Sequence, residues 1–169
     1  LVAARAQSGA TPWLLWWEQR GSGLVRHDIS AGRSGARQLS VVDVNRDGRP
    51  DLLTTHAYQT YDWMNYEVRY YENTGGAFKG WFVTDNMNDL QSAWAADLDG
   101  DGRNEVVAGG VTRSGYGYIA AWSYLGPGSF GPPRILMQGG GRPVMLGALD
   151  MEQDRDADLA LVDERELRF

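Results

Sequence analysis

Four carboxylates stand in the nine residues 97–105, DLDGDGRNE, at loop positions one, three, five and nine. Like charges at this density repel, so the stretch calls either for full solvation or for a cation among them. Calcium takes six to eight oxygen ligands at about 2.3–2.6 Å, mostly carboxylates and carbonyls. Alternate side chains of a tight loop can converge on one point, which assigns Asp97, Asp99, Asp101 and Glu105 as ligands. Gly102, at position six, permits the sharp turn because it tolerates positive φ. The carbonyl of Arg103, at position seven, then faces the ion.

The scheme recurs twice. DVNRDGRPD (43–51) supplies Asp43, Asn45, Asp47, the Arg49 carbonyl and Asp51, with Gly48 as hinge; neutral Asn45 lowers its charge. DMEQDRDAD (150–158) supplies Asp150, Glu152, Asp154 and Asp158, with Asp156 at position seven. Here Arg155 replaces the glycine, where positive φ is strained and a guanidinium opposes the ion, so a weaker or empty site is expected. An EF-hand opens the same way but needs Glu at position twelve and flanking helices. Position twelve is Thr54 in the first loop and Ala108 in the second, and the flanks are strand-like. Solvated Asp-Gly turns are the plain alternative, and recurrence at a fixed period weighs against them.

The loops begin at Asp43, Asp97 and Asp150, 54 and 53 residues apart. Around them QLSVVDVNRDGRPDLLTT, QSAWAADLDGDGRNEVVAGG and PVMLGALDMEQDRDADLALVD each read apolar stretch, acidic loop, apolar stretch. Between the loops, YEVRYYENTGGAFKGWFVTD, GYIAAWSYLGPGSFGPPRILM and the opening PWLLWWEQRGSGLVRHDIS each read as strand, Gly-rich turn, strand. Four short strands per unit are the pattern of a propeller blade. The fold class expected is therefore all-β, with four-stranded antiparallel blades in about three repeats over residues 1–169. MNDLQSAWAA has helix-favouring residues, but its repeat partners do not, and the repeat predicts a strand.

Composition agrees. The 22 glycines are about twice the usual share of roughly 7%, which favours turns and strands. Cysteine is absent, which removes disulfides, cysteine nucleophiles and thiolate metal sites. The loops hold 11 of the 22 acids at their ligand positions, so the remaining acids face 16 Lys and Arg and the rest of the chain is net positive. Three bound calcium ions would cancel the formal charge of −6. No apolar run has the length of a bilayer span, no signal peptide is recognisable, and no basic run suggests nucleic acid.

DVNRDGRPDLL, DLDGDGRNEVV, DMEQDRDADLAL and the turn ENTGGAF together resemble the FG-GAP/VCBS repeat family, in register over nearly the whole chain. The resemblance implies calcium-binding blades of β-propellers, often seven-bladed, in extracellular and cell-surface proteins, including the head of integrin α chains. The FG and GAP tripeptides themselves are missing, so the VCBS variant is the closer likeness. Similar repeats also stand beside catalytic domains in secreted enzymes. About three repeats fall short of a ring, and the first and last parts would together make one blade. A fragment of a longer propeller is expected, in preference to a ring completed by other copies.

No enzyme is expected: there is no Walker motif or nucleophile elbow, and the carboxylates are assigned to calcium. His27 and His56 lack metal-ligand spacing and are expected to be structural or surface residues. Trp13, Trp16, Trp17, Trp94 and Trp122 are expected to pack between blades. HAYQTYDWMNY places Tyr58, Tyr61, Trp63 and Tyr66 in the connection between second and third strands, suited to stacking on sugars or gripping a protein. The chain is expected to be a secreted or surface module, structural or adhesive, with a lectin-like binder or part of a secreted enzyme as alternatives.

Overall fold

Runs such as VVAGGV (106–111) are apolar without a break, which suits a strand buried on both faces. That is what the computed structural model of the chain shows. It describes residues 2–4, 14–30, 36–60, 63–85, 87–112, 114–154 and 156–163. Among these residues there is no helix, and the strands form four antiparallel sheets, none closed.

The first sheet holds β1 (Val2–Ala4), β2 (Leu14–Arg20) and β3 (Gly23–Ser30). The second is a four-stranded meander of β4 (Ala36–Val42), β5 (Asp51–Thr60), β6 (Trp63–Asn73) and β7 (Phe78–Thr84). The third runs β8 (Asn88–Ala96), β9 (Glu105–Val111) and β10 (Gly117–Gly126), and its last position is shared by β11 (Ser129–Phe130) and β12 (Arg134–Gln138). The fourth pairs β13 (Pro143–Leu149) with β14 (Asp158–Asp163). The blade-like all-β reading thus holds, and MNDLQSAWAA contributes to strand β8.

Two particulars differ from the expected pattern. Only the second sheet has four strands in simple order. In the third the final strand is broken between Phe130 and Arg134, where Pro132 and Pro133 have no N–H to give to a ladder. The Tyr58–Tyr66 region is also no separate connection. It extends the β5–β6 hairpin, with Tyr58 opposite Asn65, Ala57 opposite Tyr66 and Thr60 opposite Trp63.

The largest core lies between the second and third sheets. Val44, Leu53, Val68 and Tyr70 meet Leu90, Ala93, Ala95, Val106, Ala108 and Trp122 there. Alternation sends Val107, Ile119 and Ala121 to the other face of the third sheet, against Leu159 of β14. Leu14, Leu52 and Tyr71 form the layer between the first two sheets. Of the tryptophans expected in cores, Trp122 is buried, while Trp16, Trp17 and Trp94 are only half-buried. Trp16 stacks on His27 with ring centroids 4.2 Å apart, and Trp13 lies outside the described residues.

Candidate metal centre

Each acidic loop joins the first strand of a repeat to the second, and the register around all three is the same. Val42 pairs with Asp51, Ala96 with Glu105 and Leu149 with Asp158. The loops are therefore equivalent in position, and they share a set of internal bonds. The acid at position nine accepts the N–H of position two each time: Val44 to Asp51 at 3.0 Å, Leu98 to Glu105 at 3.1 Å, Met151 to Asp158 at 2.9 Å. The acid at position five accepts the N–H of position seven: Arg49 to Asp47, Arg103 to Asp101, Asp156 to Asp154. The position-one carboxylate accepts from the hinge glycines, Gly48 to Asp43 at 2.8 Å and Gly102 to Asp97 at 3.0 Å.

Position six has φ of +84° at Gly48 and +87° at Gly102, the region in which a β-carbon is strained. Arg155, its counterpart in the third loop, lies outside the described residues. Position four is also left-handed in all three loops, at Arg46, Gly100 and Gln153. The sequence reading missed this, because only one of the three is a glycine.

The loops differ in what their carboxylates do. Asp97, Asp99 and Glu105 each bring one oxygen within 4.8 Å of the others, and among the described residues no other three acids gather so closely. Asp101 is not part of that group. Asp97 is only 8% exposed, and its Oδ1 is buried without a hydrogen-bond partner. Its Oδ2 accepts from Gly102 N–H and from the Arg46 guanidinium at 3.1 Å. Burial, with the negative charges of Asp99, Asp101 and Asp97, raises the Glu105 carboxyl above its ordinary value, against the opposing Leu98 N–H bond. A cation would relieve both costs. The residues present fit a hard divalent ion.

The first loop is tied up internally. Asp43 accepts from Asp47 and Gly48, and Asn45 and Arg49 both bond to Asp47. Asp51, fully buried, accepts from Tyr70 Oη at 3.0 Å, Asn73 N–H at 2.8 Å and Val44 N–H. Burial still raises its carboxyl, with those bonds opposing. In the third loop Asp150, Glu152 and Asp154 stay apart from a common centre, and the Asp156 carboxyl is raised first by its hydrogen bond to Asp154.

Neighbouring loops are also fastened to one another. Asn104 Nδ2 donates to the Asp43 carbonyl at 2.8 Å, and Ala157 N–H to the Asp97 carbonyl at 2.7 Å. Both donors occupy position eight and both acceptors position one of the preceding loop.

Away from the loops, a cleft of about 770 Å³ is lined by Tyr58, Met64, Tyr66, Asp85, Asn88 and Thr112, among others. Tyr58 and Tyr66, two of the four aromatic residues singled out in the sequence, meet in it. Tyr61 lies outside the described residues, and Trp63 is placed by its backbone pairing alone. His56 is buried in β5, bonded to Thr54 Oγ1 at 2.7 Å, and His27 holds Glu18 at 3.0 Å, so both have structural surroundings.

No curated protein matches the chain. Residues 97–161, from the second acidic loop through β9–β13 and the third loop into β14, match the family described as FG-GAP-like repeat, consistent with the resemblance the acidic loops carry.

Proposed function

We propose that the chain is a calcium-binding β-propeller region, one module over residues 1–169, that serves a secreted or surface protein as a structural or adhesive scaffold. The observation that carries this is the buried, unpartnered Oδ1 of Asp97 beside Asp99 and Glu105. A buried charged oxygen left without a partner is costly, and calcium supplies what three converging carboxylates lack. Asp97, Asp99 and Glu105 would hold the ion, which neutralises their mutual repulsion and fixes the loop. The Asp43–Asp51 and Asp150–Asp158 sets are proposed as weaker sites, and the propeller is proposed to be completed by further blades.

Thermal unfolding in millimolar calcium, magnesium and excess chelator tests this. Calcium at tenfold its dissociation constant adds about 1.4 kcal/mol per site, which is a shift of roughly 3–6 °C for a chain of this size. Asp99→Ala is expected to abolish most of that shift while changing the melting temperature in chelator little. Equal destabilisation with and without calcium would remove the proposal's support.

The cleft at Tyr58 and Tyr66 favours one second reading, a glycan-binding module. Tyrosine faces stack on sugar rings, and Asp85, Asn88 and Thr112 offer hydroxyl partners. Glycan binding that persists in chelator and is lost in Tyr66→Ala would favour it.

A further inference from the structure

We infer that Arg46 is a tethered counter-cation for the second acidic loop, stabilising it when it is empty and weakening its hold on a divalent ion. The inference rests on the calcium reading above and adds a residue from a different loop to the control of that site.

Arg46 belongs to the first loop, yet its side chain is spent on the second. Nε donates to Asn104 Oδ1 at 3.1 Å and Nη2 to Asp97 Oδ2 at 3.1 Å. Among the described residues it is the cationic side chain paired with the Asp97, Asp99 and Glu105 group. Asn104 is buried and turned back toward Asp43, whose carbonyl it bonds, so the guanidinium rests on a fixed platform. The backbone at Arg46 has φ of +58°, a conformation that disfavours a side chain. The equivalent position of the second loop is Gly100, which takes the same turn without that strain. Gln153 takes the same turn in the third loop, so what sets Arg46 apart is where its fork reaches.

The electrostatic consequence has two signs. Without a metal, one positive charge beside three converging carboxylates offsets part of their repulsion. With a metal, the same charge repels the ion and competes for Asp97. Asp97 Oδ1 remains buried and unpartnered while Arg46 occupies the Oδ2 side, so the guanidinium does not complete the site. The affinity of the loop is thus set partly by a residue 51 positions away in sequence.

Calcium titration calorimetry on the whole chain, with melting in chelator, tests this on Arg46→Gln and Arg46→Lys. Arg46→Gln is expected to bind calcium about two- to fivefold more tightly, the range for a partly exposed ion pair, and to melt lower in chelator. Arg46→Lys retains the charge and should keep an affinity near that of the natural chain. In an Asp99→Ala background the affinity gain from Arg46→Gln should vanish. Unchanged or weaker binding in Arg46→Gln, with calcium still bound by the natural chain, overturns the role of Arg46 and leaves the calcium reading standing. Absence of calcium binding in the natural chain and in all variants overturns both.

Discussion

His56 is an acid-sensitive point in the molecule. It is fully buried in β5, faces Glu67 across the β5–β6 pair, and has Arg69 in range. Burial pushes its imidazole down to about 4, with Glu67 opposing and Arg69 reinforcing. A histidine whose folded value lies below its ordinary value of 6.5 contributes full stability above that value. The contribution is lost as pH falls from about 6.5 towards 4, because the unfolded chain takes the proton first. The full loss is about 3 kcal/mol. Urea unfolding across this window should show the decline, and His56→Gln should flatten it; a parallel decline in both would rule His56 out as its source. Asp51 and Glu105, raised by burial, act in the opposite direction, and the comparison of the two proteins removes their part. At this scale the sequence was informative about what repeats and silent about what crosses. The hinge glycines and the position-nine acids follow from their spacing. The left-handed turn at position four does not, since Arg46, Gly100 and Gln153 share no residue type. Nor does the Arg46–Asp97 bond, because no local pattern joins residues of two separate loops.

Among the elements, the β10–β11 turn shows how one sheet constrains the next. Gly128 has φ of +70°, and a β-carbon there would overlap the indole of Trp81 in β7. Trp81 cannot easily withdraw, since Lys79 lies over its ring at 4.6 Å and its Nε1 donates to Glu72 at 3.3 Å. Gly128→Ala combines backbone strain with overpacking, and a loss of about 2–4 kcal/mol is expected. Chemical denaturation would show it as a lower midpoint, and an unchanged midpoint would mean the turn yields freely. The strand order was legible because each repeat alternates apolar runs with turn residues. Even the helix-prone composition of β8 gave way, as burial on the second and third sheets' shared core outweighs propensity. Less legible was the length of the β5–β6 hairpin. Tyr58 and Tyr66 read as a loop because polar residues stand between them, whereas cross-strand pairing carries the ladder to Thr60 and Trp63.

Across the whole molecule, stability is expected to be uneven. β5, β6, β8 and β9 are buried between sheets, while β14 leaves Leu161 and Val162 exposed. Hydrogen-exchange mass spectrometry should find the slowest amides in the former and an earlier, sub-global opening of β13–β14; equal protection throughout would contradict this. Asp89 then ties three repeats together, accepting from Arg37 of β4 at 2.9 Å and pairing with Arg142 ahead of β13. Among the described residues, every sheet is built from strands that follow one another along the chain. That ordering has a consequence for how the protein is made. None of the described strands must wait for a sheet partner synthesised much later, so the loop-closure cost of each pairing is small. At about 5–20 residues per second, a unit of some 50 residues leaves the ribosome in roughly 3–10 s. The second sheet can close before β8 has emerged, and each new repeat then condenses on a finished face.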